Sequence, residues 1–234
     1  MPPAKTRKPP KDDSHAPIPS ATVSRMVTYL RILTKLEGEG VNRTSSEVLA
    51  EQARVSAFQV RKDLAYFGRF GVRGMGYTVL TLRRELEYIL GMTENNPWNV
   101  GLVGLGRLGQ AIADFPGIVG GYFHLVALFD HDERKVGQTF GDLRVSAMDE
   151  LPVVAERTQM NIGIICVPAE AAQGVADQLV GPAVKVKGIL NFAPTTLHVP
   201  DNVIVEPVDF LAGMKRLAFY ILNPNLKDTK EEKK

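Results

Sequence analysis

The chain has 234 residues, 44% of them hydrophobic and 23% charged, with a formal net charge of +2; this is enough apolar content for one or two packed domains. No apolar run approaches the roughly 18 residues of a membrane span, and no hydrophobic segment follows the basic N-terminus as in a signal peptide, so a cytoplasmic protein without a membrane partner is expected. The single Cys166 excludes an internal disulfide framework and a cysteine metal cluster, lies in an apolar run as a core thiol, and leaves no metal site expected.

The charge is unevenly spread: residues 1–19 carry a net +2, residues 20–92 a net +4 and residues 93–234 a net −4. A basic first half beside an acidic second half points the first half toward a polyanion. Residues 1–17, rich in proline and charge with almost nothing to bury, read as a disordered basic arm. From Ser20, expected to cap the first helix, Val23, Met26, Val27, Leu30, Leu33 and Leu36 recur at helical spacing to about Glu37. Two capping boxes follow, Thr44-Ser45-Ser46-Glu47 and Ser56-Ala57-Phe58-Gln59, the second opening a third helix to Phe67. Three helices so closely joined read as a helix-turn-helix.

Projected at 100° per residue, Ala57, Val60, Leu64 and Phe67 form the inner face of that third helix. Lys62 lies opposite, flanked by Phe58, Gln59 and Tyr66, with Arg61 at the margin. Lysine can reach guanine O6 and N7, glutamine can pair with adenine, and an aromatic edge can touch a thymine methyl, so this face has the chemistry of major-groove reading. Residues 68–79 then read as two short strands around a glycine-rich tip that carries Arg73, the wing of a winged helix; an arginine there suits a narrow minor groove. A fourth helix through Leu82, Leu86, Ile89 and Leu90 stops at Gly91, which closes a DNA-binding domain over residues 18–92, and residues 93–97 form the linker.

A Rossmann domain spans residues 98–208. Trp98 to Val103 is a strand, Gly104-Leu105-Gly106-Arg107-Leu108-Gly109 a G-x-G-x-x-G, and Leu108, Ile112 and Phe115 an apolar helical stretch; a second strand, His124 to Phe129, ends on Asp130. Gly104 makes the tight turn, Gly106 lets backbone approach a pyrophosphate, and Gly109 lets helix sit on strand. Helix N–H groups face the phosphates, and the acid accepts the ribose hydroxyls while repelling a 2′-phosphate, which favours NADH and NAD+ over NADPH. The alternation continues with an ambiguous strand and helix over residues 145–157, a buried strand Asn161–Val167, a helix Ala169–Val180, and strands Gly188–Phe192 and Val203–Glu206. Ligands in such sheets bind outside the carboxyl ends of the strands, which places Val167, Pro168, Asn191, Phe192, Ala193 and Phe210 near the cofactor. Residues 209–222 form a last helix, apolar nearly all round, whose natural cover in a chain this small is a partner subunit; the tail to residue 234 is charged.

No Tyr-x-x-x-Lys is present, and none of His15, His124, His131 and His198 is paired by sequence with a carboxylate at a strand end. The domain therefore reads as a sensor rather than an enzyme, against the alternatives of an NAD-dependent oxidoreductase with an accessory domain and of a DNA-binding regulator responding to coenzyme A. Ser56-Ala57-Phe58-Gln59-Val60-Arg61-Lys62-Asp63-Leu64, Tyr66-Phe67-Gly68, Arg73-Gly74-Met75-Gly76-Tyr77, the G-x-G-x-x-G, Ile189-Leu190-Asn191-Phe192-Ala193-Pro194 and Val208-Asp209-Phe210-Leu211-Ala212-Gly213 together resemble the Rex family of redox-sensing transcriptional repressors over residues 18–224. The resemblance implies an α/β chain: an N-terminal winged helix, a Rossmann NAD-binding domain and a domain-swapped C-terminal helix. It implies a homodimer that binds a palindromic operator in double-stranded DNA and leaves it when NADH binds. By the same resemblance Lys62 reads bases, Arg73 enters the minor groove with Ser56 and Gly74 beside the DNA, Arg31 pairs with Asp209 in one state, and Phe210 lies near the nicotinamide.

Overall fold

The computed structural model describes residues 17–71, 74–93, 97–115 and 121–226. Two units divide after Thr93. The first contains helices α1 (Ser20–Gly38), α2 (Ser46–Ala53), α3 (Ala57–Ala65) and α4 (Val79–Ile89) with strands β1 (Arg43–Thr44) and β2 (Tyr77–Thr78). Its core is Met26, Tyr29, Leu33, Leu49, Val60, Leu64, Leu82 and Leu86, drawn from all four helices. Val23 and Val27, expected on the inner stripe of α1, face outward, while Tyr29 and Ile32 are buried instead.

Three local expectations change. Ser20 does not cap α1; Pro19, with its extended ψ of 136°, is the N-cap, and its carbonyl accepts the Thr22 N–H at 2.8 Å. The box expected at Thr44 shifts by one residue: Ser45 caps α2, while Thr44 is taken up by the strand. The expected two-stranded hairpin within residues 68–79 does not form among the described residues. Tyr77–Thr78 pairs antiparallel with Arg43–Thr44 instead. Gly76 makes that possible, because a Cβ there would stand 2.3 Å from the Thr44 carbonyl oxygen. Arg43 reaches across the pairing to donate to the Met75 carbonyl.

The second unit is a seven-stranded sheet in the order β5-β6-β4-β3-β7-β8-β9. Its strands are β3 (Trp98–Val103), β4 (Phe123–Phe129), β5 (Thr139–Phe140), β6 (Leu143–Ser146), β7 (Ile162–Ile165), β8 (Gly188–Asn191) and β9 (Ile204–Pro207). All neighbours run parallel except β5 and β6, a small hairpin at one edge. Helices α5 (Arg107–Ala113), α6 (Leu151–Thr158), α7 (Ala169–Leu179) and α8 (Phe210–Leu222) complete it. The strands alternate between two cores. Val103, Phe129, Ile165 and Ile189 pack with Leu151, Ala172 and Leu179 from α6 and α7; Val100, Leu102, Leu128 and Ile164 pack with Ala113 of α5. The inner face of α5 is Gly109 and Ala113, small residues that let it lie close to β3, and Leu108 and Phe115 of the expected apolar stripe point outward. No residue of α8 is buried, although its sequence is apolar nearly all round. Among the described residues no helix is long and apolar enough to cross a membrane.

Candidate DNA-reading face and dinucleotide site

The placement of α3 rests on one acid. Asp63, 0% exposed, accepts from Arg25 Nε at 2.6 Å, Arg25 Nη2 at 2.7 Å, Tyr29 Oη at 2.8 Å, Thr22 Oγ1 at 3.2 Å and Gln59 Nε2 at 2.8 Å. Burial pushes its carboxyl up, but the Arg25 guanidinium and the Tyr29 and Gln59 donors outweigh that and hold it below the usual carboxylate range. A buried charge with this many partners locks α3 against α1 at a defined rotation. Ser56 caps α3 by accepting the Gln59 N–H at 3.1 Å, yet the Gln59 side chain does not return to complete the box, being bound to Asp63.

That lock divides the expected DNA-reading face. Lys62 and Phe58 are exposed, Phe58 by 68% of its area, and Ser56 and Gly74 are exposed too. Tyr66 is half-buried just past the end of α3, which stops at Ala65 rather than Phe67. Gln59 is committed inward, and Arg61 donates to Ser46 Oγ at 2.8 Å and pairs with Glu47 at 3.4 Å. Arg73 lies outside the described residues. No sequence pattern marked Asp63, Arg25, Tyr29 and Thr22 as a network, because Asp63 lies 34 to 41 residues from the three donors on α1 and meets them only on folding.

In the second unit Gly104 follows β3 with φ +98°, and a Cβ there would stand 2.6 Å from the Cys166 carbonyl oxygen. A Cβ on Gly109 would stand 2.0 Å from the Gly104 oxygen, whereas one on Gly106 would meet nothing within 4 Å. The middle glycine therefore faces the open space where a phosphate can approach, at the start of a helix with no side-chain cap. Leu105 is buried, and Arg107 and Leu108 are exposed. Asp130, at the end of β4 and 3% exposed, accepts the Leu105 N–H at 2.8 Å, the Asp132 N–H at 2.9 Å and Lys135 Nζ at 2.8 Å. Burial raises its carboxyl, and these donors, Lys135 foremost, bring it below its ordinary value. The expectation of an acid standing ready with both oxygens is thus modified by a lysine that no motif singled out.

Val167 and Pro168 follow β7, and Phe192 is half-buried past β8. Asn191 is buried, but its amide donates to the Thr195 carbonyl at 2.9 Å and accepts the Ala193 N–H at 3.0 Å, so it shapes the loop after β8. A cleft of about 410 Å³ at the ends of β8 and β9 brings Asn191, Ala193 and Thr195 together with Val208 and Asp209. Asp209 caps α8 by accepting the Ala212 N–H at 2.9 Å, and Phe210 beside it is exposed. Arg31 is exposed on α1. Burial pushes the Cys166 thiol up to about 12, so it is no nucleophile at neutral pH. Among the described residues no three His, Cys, Asp or Glu side chains converge as a metal site would need.

Residues 17–65 match a family model described as "Putative DNA-binding protein N-terminus", and residues 95–195 match one described as "CoA binding domain". Together with the helical unit and the glycine loop these define a class: a DNA-binding regulator that carries a nucleotide-type Rossmann domain. The redox-sensing transcriptional repressor Rex of Thermus thermophilus is 52% identical over 213 residues, which is 90% of this chain and 97% of that protein. The crystal structure of RSP, a Rex-family repressor, in complex with β-NAD+ and operator DNA matches with a TM-score of 0.82 and 36% identity, over 94% of this chain and all of that one. RSP in complex with β-NADH matches with a TM-score of 0.79 and 34% identity, over 90% of this chain and 97% of that one. The chain belongs to the Rex family of redox-sensing transcriptional repressors, which are regulators rather than enzymes.

Proposed function

We propose that this chain is a homodimeric repressor of the cytoplasm that binds an inverted-repeat operator and leaves it when NADH occupies the Rossmann unit. The observation that carries the reading is the pairing, in one chain, of a recognition-type helix with exposed Lys62 and Phe58 and a glycine loop open at Gly106 above a buried Asp130. Lys62 reads base edges, Phe58 touches a thymine methyl, Ser56 and Tyr66 meet phosphates, and Arg73 with Gly74 follows the minor groove. Gln59 Nε2 is held by Asp63 and Arg61 Nη1 by Ser46, so both side chains orient α3, and the half-exposed Arg61 guanidinium retains N–H groups that can reach DNA.

On the ligand side the loop from Gly104 to Gly109 takes the pyrophosphate, Asp130 the adenosine ribose, and Val167, Pro168, Ala193 and Phe210 the nicotinamide end. NADH lacks the ring charge of NAD+, so an apolar nicotinamide pocket favours the reduced form. A difference in affinity between two dimer arrangements is all that a switch needs. Arg31 pairing with Asp209 in one arrangement supplies that difference on the protein side. Homodimerisation is supported by two apolar surfaces without cover among the described residues: helix α8, and a groove of about 370 Å³ on the sheet lined by Val100, Phe123, Ile162, Ile164 and Ile204. Coenzyme A is favoured only by the description of the matching domain model; its 3′-phosphate would have to sit beside the Asp130 carboxylate, and the RSP complexes hold NAD+ and NADH.

The test is fluorescence polarisation of an inverted-repeat duplex, selected in vitro by this protein, titrated with and without NADH, NAD+, NADPH and coenzyme A. NADH at micromolar levels releases the duplex and NAD+ does not. Release by coenzyme A alone, or by NAD+ in place of NADH, refutes the reading.

A further inference from the structure

Asp130 is already occupied. Its Oδ2 accepts from the Leu105 N–H and from Lys135 Nζ, both at 2.8 Å, and its Oδ1 from the Asp132 N–H at 2.9 Å. An ionised carboxylate offers about four acceptor sites, and a ribose diol brings two donors. With three sites filled, the diol cannot be accepted whole until one protein donor withdraws. Two of the three are backbone groups held in place. Leu105 follows the Gly104 turn, and Asp132 begins a turn closed by the Lys135 and Val136 N–H groups on its own carbonyl. Only Lys135, on a four-carbon stem and 34% exposed, can retreat to water. The neighbouring cation is not a substitute, because Arg134 is spent on Asp132 at 2.9 Å. The His131 imidazole stands 3.5 Å from Oδ1 and is largely exposed.

We infer that Lys135 competes with the adenosine ribose for Asp130, and that this competition sets both the affinity for NADH and the discrimination against a 2′-phosphate. The inference rests on the dinucleotide reading given above. In the empty site the ammonium neutralises the acid. When the ribose enters, the ammonium is displaced but remains beside the 2′ edge, where it offsets the repulsion that a bare carboxylate would exert on NADPH. Lys135 is therefore a specificity-determining residue, and it works against the selectivity that Asp130 alone would give.

The experiment titrates full-length wild type, Lys135→Met and Lys135→Gln with NADH and with NADPH, read by nicotinamide fluorescence. Both variants bind NADH more tightly than wild type, and their preference for NADH over NADPH rises by about tenfold, the worth of one hydrogen bond to a charged group. An unchanged preference overturns the inference, and so does weaker NADH binding in both variants, which would make Lys135 a direct ligand rather than a competitor. If wild type itself binds no NADH, the functional reading fails and this inference with it; if wild type binds and the preference is unmoved, the inference alone fails.

Discussion

Asp63 and the three glycines of the phosphate loop make the sharpest residue-scale predictions. Replacing Asp63 by Ala leaves the Arg25 guanidinium and the Tyr29 hydroxyl without their acceptor, and loss of one partner of a buried ion pair costs about 3–5 kcal/mol. Denaturant unfolding of the full chain followed through α1 and α3 should show a loss of that order. Because the folded Asp63 carboxyl lies below its ordinary 3.8, its contribution is complete above that pH and disappears as the pH falls through the folded value. The protection of the α3 amides from hydrogen exchange, relative to the intrinsic rate at each pH, should fall below about pH 4, while Asp63→Asn should show little of this acid step. The glycines separate packing from ligand approach. Gly109→Ala drives a Cβ into the Gly104 carbonyl and should destabilise by about 1–3 kcal/mol with or without ligand. Gly106→Ala meets nothing in the protein, so its melting should match wild type while NADH binding falls at least about tenfold, because the methyl stands where the pyrophosphate approaches. A melting temperature lowered as far as that of Gly109→Ala would remove Gly106 from the phosphate role.

Helix α3 exposes Lys62 and Phe58, the residues proposed to read DNA, and buries its anchor Asp63; Asp63 engages Gln59 and α2 engages Arg61, two side chains that the helical projection placed near the DNA. Projection at 100° per residue orders Lys62, Phe58 and Val60 correctly, because it depends only on helix geometry. It cannot say that Gln59 turns toward Asp63 or that Arg61 reaches Ser46, since those partners come from the same turn or from another helix. Lys62→Ala should weaken operator binding by about 1–3 kcal/mol without changing NADH affinity, measurable by polarisation and nicotinamide fluorescence on one preparation. Helix α8 is the opposite case, an element with an apolar surface and no cover within its own described chain. A charge at Leu217, exposed at mid-helix, should dissociate the dimer. Light scattering after chromatography on Leu217→Glu should give a mass near 25.7 kDa; an unchanged dimer would mean that this face of α8 is not the dimer contact.

A repressor that senses the NADH/NAD+ balance needs a DNA-reading unit, a ligand unit and a state-dependent link between them. The two units are separate folds, each with its own core. The proposed switch assigns that coupling to surface residues: Arg31 on α1, Asp209 at the start of α8, and Phe210 next to it. Arg31→Ala is expected to leave NADH affinity within about threefold while shrinking the NADH-induced loss of operator binding, since removing one arm of a two-state link reduces the coupling of 1–3 kcal/mol typical of such systems. Equal operator release in wild type and variant would take Arg31 out of the switch.

Periodicity, capping residues and the spacing of glycines and acid were enough, by themselves, to determine the order of units, helix α3 with Lys62 and Phe58 outward, the parallel sheet and the placing of Asp130 after the glycine loop. These are local patterns, set by helix and strand geometry and by the few residues a tight turn tolerates. Tertiary structure alone decided which polar side chains are already spent. Strand β2 took its partner from Arg43–Thr44 rather than from its own hairpin. The short β5–β6 edge hairpin had too little periodicity to be seen. Lys135 came to lie on Asp130, and Asp63 gathered donors from α1 and α3. Each of these is a hydrogen-bonding choice among competing partners, and the competitors meet only once the chain has folded.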